Sequence, residues 1–173
     1  QHYISFAPAI GYNFYDKFMA GVLLHNYNLP FSKFQFVAIP LYATGSKQMN
    51  GLGRIAYSWY PGNNGQKVEL AMAGARFTGD SYIDSTGKKN FQPFSKIVPS
   101  VKFTFANKNP RSTLTKFLQF KTFFISETGL LFTRDTVRQV DLISYPKQSS
   151  TINQLQFVIE NNRVLYPYRG ALQ

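Results

Sequence analysis

Residues 97–105 read IVPSVKFTF. Ile97, Pro99, Val101, Phe103 and Phe105 share one parity, and Val98, Ser100, Lys102 and Thr104 the other. Successive side chains of a strand point to opposite faces, so strict alternation selects an extended chain with two unlike environments. The same period recurs along the chain, and no convincing period of 3.6 competes with it. In ISFAPAIGY (4–12), Ile4, Phe6, Pro8, Ile10 and Tyr12 oppose Ser5, Ala7, Ala9 and Gly11. In GLGRIAYSWYP (51–61), Ile55, Tyr57 and Trp59 oppose Arg54, Ala56 and Ser58. In KVELAMAGARFTG (67–79), Val68, Leu70 and Met72 oppose Glu69, Ala71, Ala73 and Ala75. KFMAGVLLHNY (17–27) and FQFVAIPLYATG (34–45) are apolar on both parities.

Turn chemistry separates these runs. PGNNGQ (61–66) and NKNPRS (107–112) hold the Gly, Asn and Pro that tight connections require. Residues 79–96, rich in Gly, Asp, Ser, Asn and Lys, read as the longest loop. TLTKFLQFKTFFIS (113–126), TVRQVDLISYP (136–146), INQLQFVIEN (152–161) and RVLYPYRG (163–170) complete the series. The expectation is an all-β fold: an antiparallel up-and-down meander of about nine or ten strands. No linker, internal repeat or low-complexity segment divides it, so residues 1–173 are expected to form a single β-barrel domain.

Alternation alone does not say which face meets water. A soluble sandwich or lipocalin-like barrel hides its apolar face and could bind an apolar ligand; an outer-membrane barrel turns that face to lipid. Three features favour the barrel. The runs have the length of a tilted membrane-crossing strand. Their polar faces consist of Ala, Ser, Gly and Thr with isolated charges, which suits a crowded lumen. Rings gather at strand ends, where the amphipathic side chains of Tyr and Trp favour a membrane–water boundary. The expected interface girdle is Tyr12, Tyr15, Tyr57, Trp59, Tyr60, Tyr145 and Tyr166. The expected lumen charges are Arg54, Glu69, Lys102, Lys121 and Arg138. The transmembrane β-barrel, or part of one, is thus weighed above the soluble module.

Three segments carry a resemblance: GYNFYDKFMAGVLLHNYNLP (11–30), FVAIPLYATGSKQMNGLGRIAYSWYP (36–61) and ANKNPRSTLTKFLQFKTFF (106–124). Over about residues 3–125 the chain resembles the C-terminal outer-membrane β-barrel portion of bacterial aminopeptidase-like (gluzincin) surface proteins. The resemblance implies a Gram-negative outer membrane and a barrel larger than this chain closes. The H-E-x-x-H zinc motif of the peptidase half is lacking, as is a terminal aromatic strand. No peptidase residue is therefore carried over, and both departures fit an internal fragment of a longer chain.

The residues hold little catalytic chemistry. The chain has no cysteine and two histidines, His2 and His25, too few for a zinc centre. GDSY (79–82) lacks the downstream histidine that a serine nucleophile needs. GLGR (51–54) is too short for a phosphate loop. Asp16, His25 and Ser46 are the candidates for a rim site, although Asp16 beside Lys17 reads more simply as a solvated turn pair. No catalytic residue, cofactor or metal is expected in this segment.

The formal net charge is +11, from 19 Lys and Arg against 8 Asp and Glu, which raises anionic partners. Lys88, Lys89, Lys96, Lys108 and Arg111 lie in or near loops and suit anionic lipid headgroups. Nucleic acid is excluded because Phe103 and Phe105 lie on the face opposite Lys102, so no basic stacking platform forms. The expected partners are the lipid bilayer and other outer-membrane or periplasmic proteins. The expected role is a membrane anchor, scaffold or passage for an attached domain.

Overall fold

The computed structural model describes residues 3–27, 32–62, 66–84, 87–107, 109, 111–135, 140–144 and 146–161. His2, Lys108, Arg138, Tyr145, Tyr166 and the strand expected at 163–170 fall outside them. The described residues form ten strands and no helix: β1 (Ser5–Asn13), β2 (Lys17–His25), β3 (Phe34–Ala43), β4 (Met49–Trp59), β5 (Lys67–Ile83), β6 (Lys89–Phe105), β7 (Leu114–Thr128), β8 (Leu131–Asp135), β9 (Val140–Ser144) and β10 (Lys147–Asn161). Eight make one antiparallel sheet in the order β1-β2-β3-β4-β5-β6-β7-β10, while β8 and β9 pair separately. The sheet does not close, so β1 and β10 are its two edges. The meander expected from the sequence is present, with one excursion: β8 and β9 leave it, and β10 returns to β7.

The 79–96 loop is corrected. β5 runs on to Ile83 and β6 begins at Lys89, leaving residues 84–88 as the connection. Asp, Ser and Asn are poor strand formers, but tertiary pairing overrides that preference here. Phe77 lies opposite Phe94, Ser81 opposite Phe91 and Tyr82 opposite Asn90. A register shift between Thr78 and Asp80 absorbs the irregularity.

Directly paired residues share a face, so the register sorts the side chains. One face carries Phe6 and Leu24, Ile10 and Ala20, Phe34 and Tyr57, Ile55 and Met72, Leu70 and Val101, and Phe103 and Leu118. Its large side chains stand open, with Phe6 79%, Ile10 76% and Leu155 70% exposed. On the opposite face Met19, Leu41 and Ala43 form a buried cluster with Ala9, Ile39 and Phe77 packed against it. These residues come from β1, β2, β3 and β5, and side chains of non-adjacent strands can meet only on a concave surface. The apolar rows therefore lie on the convex side. Among the described residues the only buried apolar side chains are Met19, Leu41, Ala43 and Ala56. A soluble domain of this length would bury far more, because its core holds the fold together.

Candidate functional site

The sheet is pinned into its curve at one end by a buried carboxylate. β1 and β2 join through a three-residue loop whose closing residue, Lys17, is left-handed at φ 58°. The Asn13 side chain accepts the Tyr15 backbone N–H at 2.9 Å, fixing the turn. This turn aims Asp16 inward, fully buried at 0% exposure. Its carboxylate accepts the Ser46 hydroxyl at 2.5 Å, the Thr78 hydroxyl at 2.6 Å, the Thr78 N–H at 3.1 Å and the Asn13 amide at 3.2 Å. Gly45 N–H donates to the Asp16 carbonyl at 2.8 Å. A Cβ at Gly45 would meet the Tyr15 carbonyl oxygen at 2.8 Å, so only glycine lets the two turns approach this closely. The Asn13 amide also donates to the Thr78 carbonyl at 3.1 Å. β1 and β5 are four strands apart, about 19 Å across a flat sheet, so these contacts require strong curvature.

Burial by itself would raise the pKa of Asp16. The hydrogen bonds from Ser46 and Thr78 outweigh it and hold the carboxyl below the usual carboxylate value. Asp16 and Ser46 thus meet, as the rim trio required, whereas His25 closes the opposite end of β2. Its ring nitrogen Nδ1 accepts the Tyr27 N–H instead. The solvated turn pair expected for Asp16 and Lys17 is corrected: the carboxylate is enclosed, and the Lys17 ammonium sits 4.6 Å from the Phe14 ring centre. The Asp16 carboxylate ties the β1–β2 turn to Ser46 and to Thr78 of β5. No group of three or more metal-binding side chains occurs among the described residues. Ser81 of GDSY lies within β5, opposite Phe91.

The concave face gathers the charges expected of a lumen. Arg54, Glu69, Lys102 and Lys121 all lie on it, by the pairs Arg54–Ala73, Ser58–Glu69, Glu69–Lys102 and Ser100–Lys121. Glu69 is held from both sides, by the Arg54 guanidinium at 2.5 Å and the Lys67 ammonium at 2.8 Å. Lys102 sits 3.9 Å over the Phe117 ring, and Lys96 sits 4.7 Å over the Phe123 ring. Lys67 and Lys96 lie on the same face, and sequence reading missed both. Lys96 was read as a loop residue because its flank is polar; extending the parity of Lys102 back along 102, 100, 98 and 96 finds it.

The convex face is an apolar belt with rings near its margins. Tyr12 pairs with Phe18 at one margin of the belt, beside the half-buried Tyr15 of the turn. Tyr57, Trp59 and Tyr60 lie at the other, all exposed. The five described girdle residues thus divide between the two ends of the strands. Tyr42 and Phe34 join them on the same face, by the pairs Tyr42–Met49 and Phe34–Tyr57. A shallow groove of about 370 Å³ lies on this outer face between Phe34, Tyr57, Leu70, Met72 and Val101. Comparison with protein-family models, with curated proteins and with solved structures finds no match.

Proposed function

We propose that this chain is a stretch of wall of a bacterial outer-membrane β-barrel, serving as membrane anchor, scaffold or passage for an attached region, with no catalysis of its own. One observation carries the reading: the upper limit of the apolar belt drops in steps across the strands, from the row of Tyr12 on β1 and β2, to that of Tyr42 on β3 and β4, to that of Phe124 on β5, β6 and β7. Its upper limit is Tyr12 on β1 and Tyr42 on β3. On β7 it is Phe124, because Ser126 follows on the same face. Phe124 shares a register row with Ile97, Gly74, Gly53, Ala38, Leu24 and Phe6. The limit therefore descends from the level of Tyr12 to that of Phe6 over the six steps from β1 to β7, on average about one residue per strand. The lower limit descends in the same sense, from Leu24 on β2 to Trp59 on β4 and Phe105 on β6.

A level slab crossed by tilted strands produces this drift. One residue of rise against one strand spacing corresponds to a tilt of about 35°. Membrane barrels tilt their strands by roughly 35–45°. From Ile97 to Phe105 the belt is about 22 Å tall at that tilt, close to the roughly 25 Å of such barrels. A soluble sheet has no reason to align its exposed apolar residues to a plane. The alternative, a soluble module with an apolar ligand cavity, would need a greasy concave face. The concave face over β4–β7 is mixed instead: Ala71, Ala73, Ser100 and six charged side chains lie among Leu52, Val98, Phe117 and Ile125.

The test is flotation. The full-length protein, refolded into phosphatidylcholine liposomes, is expected to rise with the vesicles through a sucrose gradient and to resist carbonate extraction. A monodisperse species in detergent-free buffer that stays at the bottom of the gradient removes the membrane reading.

A further inference from the structure

The concave face is more ordered than a scatter of lumen charges. Five successive register rows cross β4–β7 beneath the apolar belt. Lys96 lies in the row of Leu52, Ala75, Ile125 and Ser150. Arg54 lies in the row of Ala73 and Val98. Lys121 lies in the row of Ala56, Ala71, Ser100 and Gln154. Lys102 lies in the row of Ser58, Glu69, Gln119 and Gln156. Lys67 lies in the row of Thr104, Phe117 and Val158. Each row holds one cation. Neighbouring rows are about 7 Å apart along the strand, so the cations, on β6, β4, β7, β6 and β5 in turn, climb the wall as a zigzag staircase through the height of the belt.

The only carboxylate in these rows, Glu69, is already bridged by Arg54 and Lys67. Lys102 stands opposite it in the register, and none of Lys96, Lys102 and Lys121 makes an ion pair among the described residues; Lys96 and Lys102 rest on rings, and Lys121 lies between Ser100 and Gln154. All five cations are half-buried, and small neighbours (Ala56, Ala71, Ala73, Ala75, Ser100) leave space in front of them. Glu127, opposite Phe94, lies one row beyond Lys96, outside the staircase.

We infer that this staircase is an anion path: the interior wall attracts small oxyanions such as phosphate and hands them from row to row. Low-dielectric walls carrying one sign of charge concentrate counter-ions. Transfer needs several sites, each weak enough to release its ion, and single cations, one to a row, meet that condition better than one dense cluster. The inference rests on the membrane-barrel reading.

The test uses the full-length protein in planar bilayers, with flotation run in parallel. Expected is a current that favours chloride over potassium and is reduced by added inorganic phosphate. Lys121→Glu should lower the chloride-over-potassium ratio by about fivefold. Lys96→Gln, which adds no new charge, should lower it less. Lys121 has polar neighbours on both sides, so its substitution leaves the packing intact. Protein that floats but passes no current, shows no preference, or prefers potassium overturns the anion path and leaves the membrane reading standing. Protein that does not float removes both.

Discussion

The two halves of the sheet meet the apolar belt differently. β1–β4 are short, 9 to 11 residues, and turn back at its upper limit through the connections 14–16 and 44–48. β5 and β6 have 17 residues each and overrun the same limit by more than two turns' worth of pairing, from Arg76 and Ser95 to Ile83 and Lys89. The overrun is polar on the convex side as well, with Arg76, Ser95 and Ser126 in one row. β8 and β9 stand beside it, the Phe132 ring 5.8 Å from that of Tyr82. In the first half strand length follows the belt; in the second, pairing continues beyond it. Strand length therefore does not measure belt height in this protein, whereas the change of side-chain type along a fixed parity does.

That contrast can be broken most sharply by labelling. The chain has no cysteine, so single cysteines report cleanly. Outer-membrane barrels carry their longer projections outside the cell. A cysteine at Lys88, in the overrun, should react with an impermeant maleimide on intact cells. One at Gln66, at the opposite end, should react only after the outer membrane is opened. The reverse pattern would invert the orientation of the sheet.

The tie between the halves is the next target. Asp16→Ala leaves the Ser46 and Thr78 hydroxyls and the Thr78 N–H without their acceptor. The expected cost is about 3 kcal/mol, read from urea unfolding in detergent. Hydrogen exchange should rise at residues 14–16 and 44–48 and stay low in β6 and β7; an equal rise everywhere would mean the halves open as one unit.

Acid should do the same more gently. The folded-state pKa of Asp16 lies below the ordinary 3.8. Its contribution is complete above that ordinary value and is lost as pH falls through the depressed one. The stability gap between the wild type and Asp16→Asn should be constant from pH 7 to about 5 and shrink below about 4. A gap that is flat down to pH 2 would contradict the assigned hydrogen bonds. The smallest effect belongs to the overrun itself. Tyr82→Ala removes one edge-to-face ring pair, worth about 1 kcal/mol. It should speed hydrogen exchange in β8 without changing the global unfolding midpoint.

Much of the fold was legible because period two is local. Parity along 97–105 assigned Lys102 to one face and Phe103 to the other, and the register agrees. Arg54, Glu69 and Lys121 were found the same way. Residues 79–96 failed because Asp, Ser and Asn look like a turn when read one residue at a time; cross-strand pairs such as Phe77 with Phe94 keep them extended. Asp16 failed for a related reason. A carboxylate next to a lysine normally faces water, and only the approach of Ser46 and Thr78, distant in sequence, makes burial affordable to an ion.

Alternation by itself determined that this chain is built of strands with two unlike faces, since that depends only on the geometry of an extended backbone. The register belongs to the tertiary structure, because it is a relation between strands that no single segment contains. It stepped the belt across the strands, set one cation in each of five successive rows of the concave face, and let the Asp16 turn reach β5 across a curved sheet.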